Sequence, residues 1–326
     1  MIFENIDLVE SWSPEERKKR IGRERKAPCP HRRHRSNMML NPLRLKHLNR
    51  LDTLEADWVT LNLEDAIAPS RKREALLNIA LFLSHLGESR SCIVVRVNPL
   101  ASGGEAEIRF LAEYAPDAIR IPKVRDRREI ERALELLPEA CELHASLETR
   151  EALRDLAHWG DIDPRFTTVN LGILDLLADL GLPQRLVTNG PGNPTAEALL
   201  SRFLIEARIA GLLPVSFMYQ DYRDLEGFRR WCLREREMGF TAKACMGPAQ
   251  VAIANDIFGP DPTELERARA IRKAFEVSAA RGEHGFLHPE YGFIDEPIYR
   301  DACNILEADT SLRNGSAPDD PEAPSG

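Results

Sequence analysis

Between residues 36 and 246, short β-rich runs alternate with helical stretches, and this rhythm constrains the fold more than any other feature of the chain. The runs are SNMML (36–40), WVTLNL (58–63), CIVVRVN (92–98), AIRIP (118–122), CELHASL (141–147), FTTVNL (166–171), PVSFM (214–218) and TAKACM (241–246). Between them lie helical patterns such as SRKREALLNIALFLSHL, RDRREIERALELL and DLEGFRRWCLREREMG. Strand alternating with helix means βαβ units and a parallel sheet. Eight units fit a closed (β/α)8 TIM barrel, which typically needs about 250 residues. A doubly wound sheet is the competitor. No G-x-G-x-x-G turn follows the first run, which weakens a dinucleotide-binding reading.

Around this α/β region, 35–258, the composition changes. Residues 1–34 are polar, and from Arg17 to Arg35 there are ten Lys/Arg against one Glu, which reads as a flexible basic arm. Contact with phosphates through charge is the alternative for this arm. Residues 259–309 read as a C-terminal extension: a long helix (PTELERARAIRKAFEVSAARG), a Gly/Pro-punctuated loop (EHGFLHPEYGFIDEP) and a final helix near 297–308. The tail 310–326 is rich in Pro, Gly, Ser and Asp and is expected to be disordered.

The net charge of −8 argues against nucleic-acid binding by bulk charge. No apolar run approaches the roughly 18 residues of a membrane span. The six cysteines form no C-x-x-C pair, and four lie in apolar stretches, so reduced thiols in a cytoplasmic protein are expected. The first residues, MIFENIDLVESW, do not read as a secretory signal.

A barrel of this kind carries its active site at the carboxyl ends of its strands, and side chains alternate along each strand. On inward parity the second strand gives Thr60, Asn62 and Glu64, followed by Asp65. The third gives Cys92, Val94, Arg96 and Asn98; the fourth Ile119, Ile121 and Lys123; the fifth His144, Ser146 and Glu148. Polar residues close each series, which suggests one charged pocket, and Asp175 follows the sixth strand closely enough to reach it. Glu148 and Asp175 suit a hard cation such as Mg²⁺, which takes few protein ligands. Arg96 offers a planar fork for a carboxylate or an enolate oxygen. Lys123 adds positive charge or pairs with Glu64. The bland alternative is that Glu148 and Asp175 cap the following helices. His144 lies deep and reads as a satisfied core histidine.

The ordered strings LNLEDAIAPSRKREA (61–75), VRVNPL (95–100), IPKV (121–124), LETREAL (147–153), NLGILDLLADLG (170–181), DLEGFRRWCLREREMGFTAK (224–243) and FIDEP (293–297) resemble the HpcH/HpaI aldolase and citrate lyase β-subunit-like family. The resemblance spans about residues 35–308. It implies a TIM barrel, usually a trimer or a multiple of it, with Mg²⁺ and acyl-CoA substrates whose C–C bonds are made or broken. It further implies that Arg96 binds substrate, that Glu148 binds metal and substrate, and that Asp175 completes the metal site. Glu64, Asp65 and Lys123 would support them. The loop near Asp295 matches the segment that lays an acidic residue over a neighbouring subunit's site, which makes Asp295 the expected acid/base.

The chain departs from the family pattern. An acidic position is Asn62, the family I-H-P reads Met246-Gly247-Pro248, Gly-Ala-Glu-Asp reads Gly172-Ile173-Leu174-Asp175, and an Asp near the seventh strand is Ser216. Three readings follow: an Mg²⁺-dependent lyase acting on acyl-CoA or a related hydroxy or oxo acid, a CoA-independent 2-oxo-acid aldolase, and a binding protein that kept the barrel without catalysis.

Overall fold

The computed structural model describes residues 1–23, 27–29 and 33–314. Eight parallel strands carry the barrel: β1 (Ser36–Leu40), β2 (Trp58–Asn62), β3 (Cys92–Arg96), β4 (Ala118–Ile121), β5 (Glu142–Leu147), β6 (Phe166–Leu171), β7 (Leu213–Val215) and β8 (Lys243–Cys245). Their hydrogen-bonded order is β7-β6-β5-β4-β3-β2-β1-β8. A parallel bridge between Ser216 and Lys243 nearly closes the ring between β7 and β8. All eight expected strands are present, each within two or three residues of its expected bounds.

Local sequence accounts for the helices between them. Asp126 caps the helix Arg127–Leu136 by accepting from Arg128 N and Glu129 N, and Ile130, Ala133 and Leu134 turn one buried stripe to the sheet. Asp224 caps Leu225–Met238 in the same way, and Gly239, at φ 102°, ends it in a left-handed conformation that suits glycine. Leu81, Phe82, Leu83, Phe203, Phe228 and Trp231 are fully buried on the outer face of the strands. Each such side chain contributes about 2 kcal/mol by leaving water.

Below the cavity end, at the amino ends of β2 and β3, Trp58 packs on His34 with ring centroids 4.6 Å apart and on His144 at 5.0 Å. His144 is fully buried, as its parity implies. Here the structure corrects one expectation. Cys29 and Cys92 are joined as a disulfide, while Cys141, Cys232, Cys245 and Cys303 are free. Apolar surroundings at Cys92 suited a free thiol; the spatial return of Cys29 to β3 was not visible in sequence.

The start of the chain is also more ordered than a flexible arm. Residues Ile6–Ser11 and Pro14–Lys19 are helical, the second with a full capping box between Ser13 and Glu16. Arg17 is buried, donating to Asn78 Oδ1 at 3.1 Å and pairing with Glu74 at 3.3 Å. The basic residues Arg25, Lys26 and Arg32 lie outside the described residues.

Two compact units emerge, one of Met1–Cys29 with His34–Phe258 and another from Gly259 onward. The second has its own apolar cluster of Leu265, Ala268, Ile271, Phe275, Ile294, Ala302 and Leu306. Its helix Pro262–Ala279 starts on an Asp261 cap. The expected loop is instead a hairpin of β9 (Gly285–His288) and β10 (Gly292–Asp295). His288 Nδ1 accepts from Glu290 N and Tyr291 N and so tightens the turn, a local bond the Gly/Pro spacing did not disclose. The last helix runs Glu296–Asn314, further than expected, and takes in the first residues of the expected tail. Residues 315–326 lie outside the described part. Among the described residues no helix is long and apolar enough to cross a membrane.

Candidate active site

A cavity of about 420 Å³ opens at the carboxyl ends of the strands, where such barrels carry their chemistry. Asn62, Asp65, Arg96, Arg120, Ser146, Glu148, Asn170 and Asp175 line it. Sequence parity places Asn62, Arg96, Ser146 and Glu148 there, and the structure agrees.

Arg96 is the hub. Its Nε donates to Asn62 Oδ1 at 2.9 Å, its Nη2 bonds Glu64 Oε2, and its Nη1 lies 3.5 Å from Glu148 Oε1. Asp65 Oδ2 is 3.7 Å from the same guanidinium. Lys123 bridges the two neighbouring acids, 2.7 Å from Glu64 Oε1 and 3.0 Å from Asp65 Oδ1. It does so from φ 52°, a backbone conformation that non-glycine residues take seldom. Burial alone would lower the Lys123 pKa, but the bonds to Glu64 and Asp65 outweigh it and hold the ammonium above the ordinary lysine range.

Sequence reasoning missed two supports. Lys72 donates to the backbone oxygens of Leu63 at 2.9 Å and Glu64 at 3.1 Å, and also bonds Asn98 Oδ1. It thereby fixes the turn that aims Glu64. Arg120 is the other. Its β3 partner in register is Arg96, so the inward residue on β4 is 120, not 119 or 121. Ile119 and Ile121 are buried in the outer core instead.

Glu148 follows β5 and is 3% exposed. Burial pushes its carboxyl up to about 7, Arg96 opposes this, and the negative charges of Glu64 and Asp175 add to it. Its Oε2 is buried without a hydrogen-bond partner. Asp175 sits in the first turn of the helix Ile173–Asp179, exposed on the cavity rim. Among the described residues no group of three or more His, Cys, Asp or Glu gathers as a metal cage. An unpartnered buried carboxylate oxygen beside a second carboxylate fits a hard divalent cation that keeps water and substrate in its remaining positions. The residues present therefore fit Mg²⁺.

At the changed position just after β7, Ser216 Oγ donates to Glu235 Oε1 at 2.7 Å, and Lys243 Nζ lies 2.6 Å from the same oxygen. Lys243 and Glu235 are wholly buried. Asp295 belongs to the C-terminal unit. Its Oδ1 accepts from Ile298 N at 3.3 Å, at the start of the last helix.

Fold and cavity together define a TIM-barrel protein with an acidic, arginine-centred pocket in the position barrel enzymes use for catalysis. Within that class the chain belongs to the HpcH/HpaI aldolase/citrate lyase family, whose model matches residues 35–248. It is 34% identical over 237 residues to a (3S)-malyl-CoA thioesterase of Cereibacter sphaeroides, covering 72% of this chain and 81% of that protein. It is 27% identical over 292 residues to the mitochondrial citramalyl-CoA lyase of Rattus norvegicus, covering 82% and 83%. Protein CitE of Mycobacterium tuberculosis, solved in complex with magnesium, acetoacetate and coenzyme A, shares the fold at a TM-score of 0.67 and 23% identity, covering 84% of this chain and 97% of that one.

Proposed function

We propose that this chain is a Mg²⁺-dependent carbon–carbon lyase acting on a hydroxyacyl-CoA or a related hydroxy or oxo acid. The observation that carries the proposal is the free Glu148 Oε2 in a cavity shared with Arg96 and Asp175. Glu148 and Asp175 would hold the metal, which when bound polarises the oxygen of the acid fragment as a Lewis acid.

The chain's own residues supply the rest. In cleavage the hydroxyl proton passes to the Asp295 carboxylate, the C–C bond breaks, and its electron pair becomes the thioester enolate. Arg96 offers N–H donors to that enolate oxygen, held in aim by Asn62 and Glu64. Asp295 returns a proton to the enolate carbon, and condensation reverses these steps. Lys123 holds Glu64 and Asp65 in place through its ion pairs with both.

Asp295 acts in this reading from a second copy of the chain, as part of a homotrimer or a multiple of it. Phe293 and Leu287 are partners across the hairpin, and both are strongly exposed, an apolar pair that a neighbouring copy would cover. A cytoplasmic setting goes with this reading.

The test offers malyl-CoA and citramalyl-CoA with and without Mg²⁺, then separates the products. An acyl-CoA plus a 2-oxo acid, formed only with metal and lost in Glu148→Gln, is the expected result. Free CoA thiol with the hydroxy acid intact would replace the lyase reading by thioester hydrolysis, the activity named for the Cereibacter relative. Turnover of a free oxo acid with no response to CoA thioesters would favour the CoA-independent aldolase.

A further inference from the structure

Arg120 is 4% exposed and lines the cavity, yet its Nε and Nη2 have no hydrogen-bond partner. Among the described residues no carboxylate forms an ion pair with it. Elsewhere in the molecule buried cations are neutralised: Lys243 by Glu235 at 2.6 Å and Arg17 by Glu74 at 3.3 Å. A buried charge left unpaired costs free energy that a fold avoids unless something else supplies the counter-charge. Burial and the charge of Arg96 disfavour the charged form of Arg120; the charge of Glu148 favours it, but the ion-pair partner of Glu148 is Arg96.

Register fixes where Arg120 enters. Its neighbour on β5 is His144, four residues nearer the strand's start than Glu148. Arg120 therefore lies towards the inner end of the cavity and Glu148 towards its mouth. Asn170 lines the same cavity from β6, in register with Ser146 and so two residues nearer the mouth than His144, and its side-chain polar atoms, Nδ2 and Oδ1, are buried without partners. Three N–H-bearing atoms thus stand unpaired in the cavity wall, at Arg120 Nε, Arg120 Nη2 and Asn170 Nδ2. A carboxylate is the group whose two oxygens match a guanidinium fork, and the Asn170 amide in the same cavity offers it a further donor.

We infer that Arg120 and Asn170 receive a second carboxylate on the substrate's acid fragment, so that the acid handled here is a dicarboxylic 2-hydroxy or 2-oxo acid. The inference rests on the reading that a Mg²⁺ held by Glu148 and Asp175 would engage the first carboxylate and its neighbouring oxygen. Arg120 is then a specificity-determining residue, setting which acid is held rather than how the bond is broken.

The experiment compares malate with 2-hydroxybutanoate, which carries a methyl group where malate carries its second carboxylate. Calorimetric titration with Mg²⁺ present should show wild-type protein binding malate about tenfold or more tightly than 2-hydroxybutanoate. Arg120→Met should abolish that preference by weakening malate alone, with no fall in the melting temperature of the ligand-free protein. Arg120→Lys should restore part of it. Asn170→Ala, which leaves the guanidinium in place, should reduce the preference to a smaller extent and serves if Arg120→Met does not fold. Equal affinity for the two acids in wild type, no binding of either, or an equal loss for both in the variants overturns the inference. Absence of C–C cleavage with the malate preference intact counts against the lyase reading alone.

Discussion

Gly172 and Glu148 contest the same space: a Cβ at position 172 would stand 2.3 Å from Glu148 Cγ and 3.0 Å from Glu148 Oε1. Glycine here is a steric requirement of the carboxylate. Gly172→Ala should push Glu148 from its place, destabilise the protein by about 1–3 kcal/mol through overpacking and reduce kcat/KM about a hundredfold. Thermal unfolding and steady-state rates measure both. Wild-type rates in this variant would show that the position of Glu148 does not matter to turnover.

Burial holds the Glu148 carboxyl at about 7 in the folded chain, against an ordinary 4.5. A carboxyl raised on folding binds its proton more tightly in the native state. Its contribution is therefore fully present below pH 4.5 and is lost as pH rises to about 7. Chelator-treated wild type should lose stability relative to Glu148→Gln over that window, by up to about 3 kcal/mol. Urea unfolding of the two proteins at several pH values reads the difference directly, and a difference that stays flat with pH would refute it.

Arg96 spreads three nitrogens over Asn62, Glu64 and Glu148, a fan that an ammonium cannot reproduce. Arg96→Lys should keep the fold by circular dichroism and lower kcat by about two orders of magnitude. A change confined to KM would mean that Arg96 only binds substrate.

Asp295 carries two assignments that one substitution separates. Its carboxylate accepts from Ile298 N, and asparagine caps helices as well as aspartate does. Asp295→Asn should leave the melting temperature unchanged while kcat falls about a hundredfold or more. Asp295→Ala should lose about 1 kcal/mol of stability as well. Full activity in Asp295→Asn would remove it from the chemistry.

The eight strands were legible because a parallel sheet buried on both faces needs apolar runs that no solvent-facing segment would carry. Arg96, Glu148 and Asp175 were legible because charged residues end those runs at one rim. Arg120 was hidden by a parity error. In AIRIP the isoleucines invite an inward assignment, yet they face the helices, and the register with Arg96 turns residue 120 into the cavity. A charged residue inside an apolar barrel strand was itself the missed signal, since the helix-covered face cannot accept it. The β9–β10 hairpin escaped because its strands span four residues each and their turn is fixed by a histidine side chain. The Cys29–Cys92 link depends on a return of the chain across 63 residues, which no local pattern encodes.

The ring is fastened unevenly. Ladders join every neighbouring pair from β7 round to β8, but β7 and β8 themselves meet through the bridge of Ser216 with Lys243. Across that join lies the ionic clamp of Lys243 on Glu235, to which Ser216 is also tied. The barrel thus behaves as a bracelet with a clasp. Because Ser216 also lines the cavity, the clasp that closes the bracelet is itself part of the wall around what the bracelet holds.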